Sequence, residues 1–322
     1  MFKVLTLFAL QLASASLLAA DRTVHTNFEG GSARVEKIDQ ARRTISISPG
    51  GDPARGWPCW WFVRVEGAAA GEMISIDLGA SPANARNNGK ETNKPLASSW
   101  CMPRQAAYSL DGKTWQQTEP GKKQGERIVY QVSGQASPLW IAWGPAFTPR
   151  HTDELIEELT KTKTCQPFEL AKTREGRAVR GLHYQPPSDK KLPVVWVEAR
   201  QHAWESRSSW VTRGYAEWLA SDDADAKWLR EHAEVYLIPI MDVDNAATGN
   251  GGKEADPRDH NRDWDEKPVY PEIAATQQQL LKFAAEDRLA LFIDLHNPGP
   301  GDSKPFFYVS QTEVLKERAR PM

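Results

Sequence analysis

The chain has 322 residues, of which 40% are hydrophobic and 13 are Trp. That length exceeds the usual single domain, and that apolar content excludes a disordered chain. Forty Lys and Arg against 42 Asp and Glu leave a net charge of -2, with no basic run of the kind a nucleic-acid footprint needs.

In chain order the first feature is "MFKVLTLFALQLASASLLAADRT": one Lys, an apolar stretch from Val4, and small residues suited to cleavage near Ala15 or Ala20. Residues 1–20 read as a secretory signal. A membrane anchor is the alternative, but the stretch falls short of the roughly 20 residues a spanning helix needs and is interrupted by Gln11 and Ser14. No later segment is apolar enough to span a bilayer, and no Cys stands at the cleavage site to take a lipid. The expectation is an exported protein, periplasmic or extracellular. Export to an oxidising compartment permits one disulfide among Cys59, Cys101 and Cys165. Cys59 with Cys101 is the preferred pair, and three free thiols are the alternative.

From about Asn27 to Trp143 short runs alternate apolar and polar residues: "TISIS", "WWFVRVE", "MISIDLG", "QAAYSL", "RIVYQV" and "PLWIAWG". Gly, Pro and Asn cluster between them. This grammar predicts an antiparallel β-sandwich over residues 21–150. "TDELIEELTK" then carries apolar residues at helical spacing behind a capping Thr or Asp, as a linking helix does. Buried strands and helices alternate afterwards: "LPVVWVEA", "SRSSWVTRGYAEWLAS", "AEVYLIPIM", "PEIAATQQQLLKFAAE" and "LALFIDL". Nearly continuous apolar strands between helices predict an α/β domain over 151–322, a mixed sheet covered on both faces. In such sheets ligands gather at the carboxyl ends of the strands.

Two segments fall at those ends. "RQHAWES" follows one strand and supplies His202 and Glu205; "DLHNPG" follows another and supplies His296. Two imidazoles and a carboxylate, a close pair and a distant third, form the donor set of a catalytic zinc with a position left open. A His/His/Glu set also accepts other divalent ions. Between them, "DPRDHNRDWDE" contains Asn261 and Arg262. A guanidinium grips a carboxylate bidentately and the neighbouring amide adds a hydrogen bond, which suits a substrate with a free carboxyl terminus. The plainer reading of Arg262 is a solvated charge among Asp259, Asp263 and Asp265. His25, His151, His183, His232 and His260 have no ligand partner at useful spacing, although His260 adjoins Asn261.

The ordered set "RQHAWES", "DHNRDW" and "FIDLHN" resembles the zinc carboxypeptidases. "WWFVRVEG", "MPRQAAYSLDGKTW" and "WIAWGPAFTPRHTDELIEEL" look like the β-sandwich that precedes the catalytic domain in the cytosolic carboxypeptidase branch. The resemblance implies that His202, Glu205 and His296 bind one zinc ion, and that Asn261 and Arg262 hold the terminal carboxylate of a peptide or protein substrate. The sequence departs from the branch in two places. Where an Arg normally follows a Gly-Asn to stabilise the oxyanion, "GNGGKEADPRDHNR" offers Lys253, with Arg258 as the weaker candidate. The general-base Glu of the family lies far beyond the last zinc His, whereas this sequence stops at Met322; Glu313 and Glu317 look like part of an ordinary helix. The catalytic base is therefore unassigned, and a fragment of a longer product is expected, because a sheet stopped there would expose an apolar edge.

Two other functions remain open from sequence. The same metal set serves an amidase or deacylase acting on an acylated amino acid. A secreted, catalytically inactive binding protein is the non-enzyme alternative, since Trp57, Trp60, Trp61, Trp100, Trp115, Trp140 and Trp143 could stack on sugars, although Trp at alternating strand positions more often packs in a core.

Overall fold

The computed structural model describes residues 21–87, 89–134, 138–186, 191–299 and 304–307. The expected secretory signal, Glu313 and Glu317 lie outside the described residues. None of the described helices is long and apolar enough to cross a membrane.

The first half is built from strands β1 (Thr23–His25), β2 (Arg34–Asp39), β3 (Thr44–Ser48), β4 (Phe62–Glu66), β5 (Met73–Leu78), β6 (Asn84–Asn87), β7 (Lys90–Pro95), β8 (Ala107–Ser109), β9 (Gln116–Gln117), β10 (Lys122–Gln124), β11 (Arg127–Ser133) and β12 (Leu139–Ala142). One sheet runs β1-β4-β12-β8-β9, a second runs β10-β11-β5-β3-β2, and β6 pairs with β7. Alternation decides what each face does. Ile45 and Ile47 of β3, Ile74, Ile76 and Leu78 of β5, and Val63 and Val65 of β4 all point into one core, with polar neighbours turned outward. Each fully buried aliphatic side chain there stabilises the fold by about 1.5–3 kcal/mol.

Two expectations need correction in this half. The pairing is not wholly antiparallel: β3 and β5 run parallel, because the chain crosses to the other sheet as β4 before returning. The Cys59–Cys101 disulfide is absent and all three cysteines are free thiols. Cys101 instead directs its Sγ to the Ser98 carbonyl at 3.2 Å, and burial pushes the thiol pKa of both core cysteines up, that of Cys101 to about 11. The seven tryptophans go to packing. Trp60, Trp61 and Trp143 are buried, and Trp57, Trp100, Trp115 and Trp140 pack partly buried against the same core.

Helix α1 (Pro149–Thr160) opens with Pro at its first turn and a reciprocal Thr148–His151 cap, which gives His151 a structural role. Then follow β13 (Gln166–Lys172), β14 (Ala178–Tyr184), β15 (Val194–Ala199), α2 (Ser206–Ala220), α3 (Ala224–His232), β16 (Glu234–Ile238), α4 (Val243–Thr248), α5 (Pro271–Ala285) and β17 (Leu289–Leu295). Their sheet has the order β13-β14-β16-β15-β17, with β15 parallel to both β16 and β17 and the other pairs antiparallel. Leu155 and Leu159 of α1 and Leu219 of α2 cover one face; Ile273 and Phe283 of α5 cover the other. The sheet is thus mixed, as expected, but β17 is not enclosed by the described residues. Leu291 and Phe292 are 47% and 38% exposed, whereas all six residues of β15 are buried. Strands β15, β16 and β17 end on the same side, and that side carries the site.

Candidate metal centre

Backbone geometry at the end of β15 aims the first two donors. Arg200 takes a left-handed conformation (φ 65°), unusual for a residue with a side chain, and turns the chain out of the sheet. Its buried guanidinium holds the turn from inside, donating to the Ala203 carbonyl at 2.8 Å and to the Phe147 carbonyl. The turn closes with Glu205 N donating to the His202 carbonyl at 3.1 Å, so both side chains leave the same side just before α2 begins. His296 arrives from the end of the adjacent strand β17, in register with β15.

These three residues bring one donor atom each within 4.8 Å of one another. His202 Nδ1 lies 2.9 Å from Glu205 Oε1, and His296 Nδ1 lies 2.7 Å from Glu205 Oε2. The far nitrogens are also held: His202 Nε2 lies 3.0 Å from Asp259 Oδ1, and His296 Nε2 lies 2.8 Å from Asp294 Oδ2. Asp259 and Asp294 were not singled out from sequence. For Asp294 a signal existed, since a residue two before His296 on a strand shares its face; Asp259 carried none. Gln201 bridges onward from Asp294 to Glu198 at 2.6 and 3.2 Å, and burial with the neighbouring Asp294 pushes Glu198 up to about 8. Asn297, likewise unforeseen, donates its N–H to Glu205 Oε2 at 3.1 Å and caps Ser208 N at the start of α2.

Burial opposes charge at all three donors, yet the contacts outweigh it. The His202 and His296 imidazoles hold Glu205 down at about 2, while Asp294 and Glu205 push His296 up to about 10, and His202 is also raised. At neutral pH Glu205 is therefore ionised and His296 protonated, and His202 is held toward its charged form by the Asp259 and Glu205 carboxylates. A divalent ion has to displace those protons. Zinc uptake near pH 7.5 is expected to release protons, so its calorimetric enthalpy changes with the ionisation enthalpy of the buffer; a buffer-independent enthalpy contradicts this charge state.

Asn261 stands beside the cluster, its Nδ2 3.3 Å from His296 Nε2. Arg262 follows it, exposed, donating from Nη1 to the Asn261 carbonyl at 2.8 Å. The three aspartates around Arg262 do not pair with it: Asp259 serves His202, Asp263 accepts from Val269 N, Tyr270 N and Arg258, and Asp265 pairs with Arg258. Arg258 is thereby committed to Asp263 and Asp265, which removes it as an oxyanion donor. Lys253 places its ammonium 5.4 Å from the centre of the Trp57 ring. His260 is buried, 2.9 Å from Glu272 and stacked on Tyr270, so its role is structural.

The first half of the chain reaches into this region. Trp204, between the two donors of "HAWE", is 1% exposed and packs into the sandwich core, edge-on to Trp143 at 5.0 Å and Trp100 at 5.9 Å. The loop 249–253 is clamped from the same side, with Trp57 N donating to the Lys253 carbonyl at 2.8 Å and Gly252 N to the Arg55 carbonyl at 2.9 Å. Gly56 and Gly252 both have positive φ, and a Cβ on Gly56 would overlap Gly252 N. Trp204→Ala is expected to cost about 3–5 kcal/mol of stability and to weaken zinc affinity measured against a chromophoric chelator. Unchanged affinity in the folded variant contradicts an anchoring role for this side chain.

Residues 153–312 match the zinc carboxypeptidase family. This part of the chain belongs to that family. Cytosolic carboxypeptidase 2 of Danio rerio is 30% identical over 180 residues, covering 52% of this chain but 25% of its own length. The chain thus spans about a quarter of that curated relative. Two solved bacterial structures share the fold over both halves. A metallo-carboxypeptidase of Burkholderia cenocepacia superposes with a TM-score of 0.70 at 22% identity, covering 87% of this chain and 71% of that one. A metallo-carboxypeptidase of Pseudomonas aeruginosa, in complex with (2-guanidinoethylmercapto)succinic acid, gives 0.69 at 25% identity over 86% and 70%.

Proposed function

We propose that the chain is a zinc-dependent metallocarboxypeptidase acting on the free carboxyl end of peptides or proteins, exported to a periplasmic or extracellular space. The observation that carries this reading is the convergence of His202, Glu205 and His296 beside Asn261. The donor chemistry fits the metal that the family implies. Two imidazole Nδ1 atoms and a carboxylate face one point, and carboxylates orient both rings from behind, as in metal sites whose outer partners fix the tautomer. Asp259 and Asp294 would hold the Nε2 protons and so leave both Nδ1 lone pairs for an ion. Zinc held there supplies Lewis acidity toward a carbonyl oxygen and toward water.

Binding and orienting the substrate fall to the chain's own groups. Arg262 carries no ion pair among the described residues, and its fork is available to a terminal carboxylate in two parallel hydrogen bonds. The Asn261 amide adds a third contact beside His296. Fixing the substrate at its end sets which peptide bond lies at the metal, a positional effect that favours the last bond over internal ones. Lys253 is the cation left near the place of the missing Arg, as a point charge without the fork.

The test is release of the terminal residue from a short peptide and from its C-terminal amide. The free acid is expected to be hydrolysed and the amide spared, with Arg262→Ala raising KM strongly and removing the discrimination. Equal cleavage of acid and amide overturns the carboxypeptidase reading, as does turnover that survives removal of the metal by a chelator.

A further inference from the structure

A cavity of about 520 Å³ lies where the sandwich meets the start of α2. Its walls include Lys113, Trp115, Gln116, Pro145, Arg207 and Trp210, and no lining residue is a carboxylate. None of the metal donors, and neither Asn261 nor Arg262, contributes to it.

Two cations on this wall have no anionic partner among the described residues. Arg207 is half-buried, with its guanidinium 4.8 Å from the centre of the Trp143 ring, and has no carboxylate or carbonyl partner among the described residues. The contrast on the same helix is Arg213, which pairs with Glu217 at 2.6 Å and Glu158 at 3.2 Å. Lys113 is exposed and has no ion pair among the described residues. Leaving a guanidinium partly desolvated without an anion is costly, and a carboxylate is its geometric complement. Aromatic walls at Trp115 and Trp210 favour a ligand with an apolar, stackable body.

We propose that this pocket binds a small aryl carboxylate, with Arg207 taking the carboxylate, Lys113 adding long-range attraction at the rim, and Trp115 and Trp210 receiving the ring. The site is separate from the proposed metal centre and stands whether or not the chain is a peptidase.

The probes are benzoate and indole-3-acetate, with benzamide as the uncharged control, titrated calorimetrically into the full chain stripped of metal. Saturable binding of the acids is expected, at least about tenfold weaker in Arg207→Gln, because a charge-assisted pair is lost, and unchanged in Arg262→Gln. Benzamide binding as tightly as benzoate overturns the proposal. So does an Arg207→Gln variant that binds like wild type, or binding lost in Arg262→Gln instead. Should Arg207→Gln fail to fold, Lys113→Gln on the exposed rim decides: weaker binding that grows more salt-sensitive in wild type than in the variant supports the pocket, and identical isotherms overturn it.

Discussion

Burying the carboxylate of Glu205 is costly, and the local structure exists to make that charge tolerable. Two imidazoles receive its two oxygens, and two further aspartates receive the imidazoles, so the row Asp259–His202–Glu205–His296–Asp294 alternates acid and base across the carboxyl ends of β15 and β17. Protons offset much of the row's negative charge when no metal is present, and an ion does so when one is. The same contacts that hold the cluster folded therefore compete with metal uptake, and the proton and the ion are alternative occupants.

Holding that row in place is a task shared by both halves. Arg200 pins the turn from beneath through the Ala203 and Phe147 carbonyls, and Trp204 pins it from the side by entering an aromatic core that belongs to the sandwich. The loop before Asn261 is locked to the sandwich by backbone hydrogen bonds at Arg55 and Trp57. A sandwich that contributes no donor to the cluster still sets where two of its donors point. Accurate placement matters here because catalytic and metal geometry tolerates only small displacements.

Much of this was legible from sequence because of position. His202, Glu205 and His296 each sit just past a strand whose apolar run is hard to mistake, and Asn261–Arg262 stands out once those donors are placed. What was not legible lacked a local signal. Strands β13 and β14 escaped notice because Glu169, Arg180 and Gly181 interrupt their alternation, and β13 lies largely exposed. The parallel β3–β5 pair depends on a crossover between sheets, which period-two patterns do not encode. Asp259 acquires its role only through a contact 57 residues distant, and Trp204 only through rings more than 60 residues upstream. The Cys59–Cys101 pairing was inferred from an expected compartment, whereas both thiols serve packing.

Metal content of the purified chain is the most direct measurement of the central claim. Wild type is expected to carry about one zinc per chain, His202→Ala and Glu205→Ala to carry none, and Asp259→Asn to retain it with affinity about 10–100-fold weaker. A folded wild type that takes up no divalent ion, or variants that keep their zinc, would contradict a metal centre at His202, Glu205 and His296.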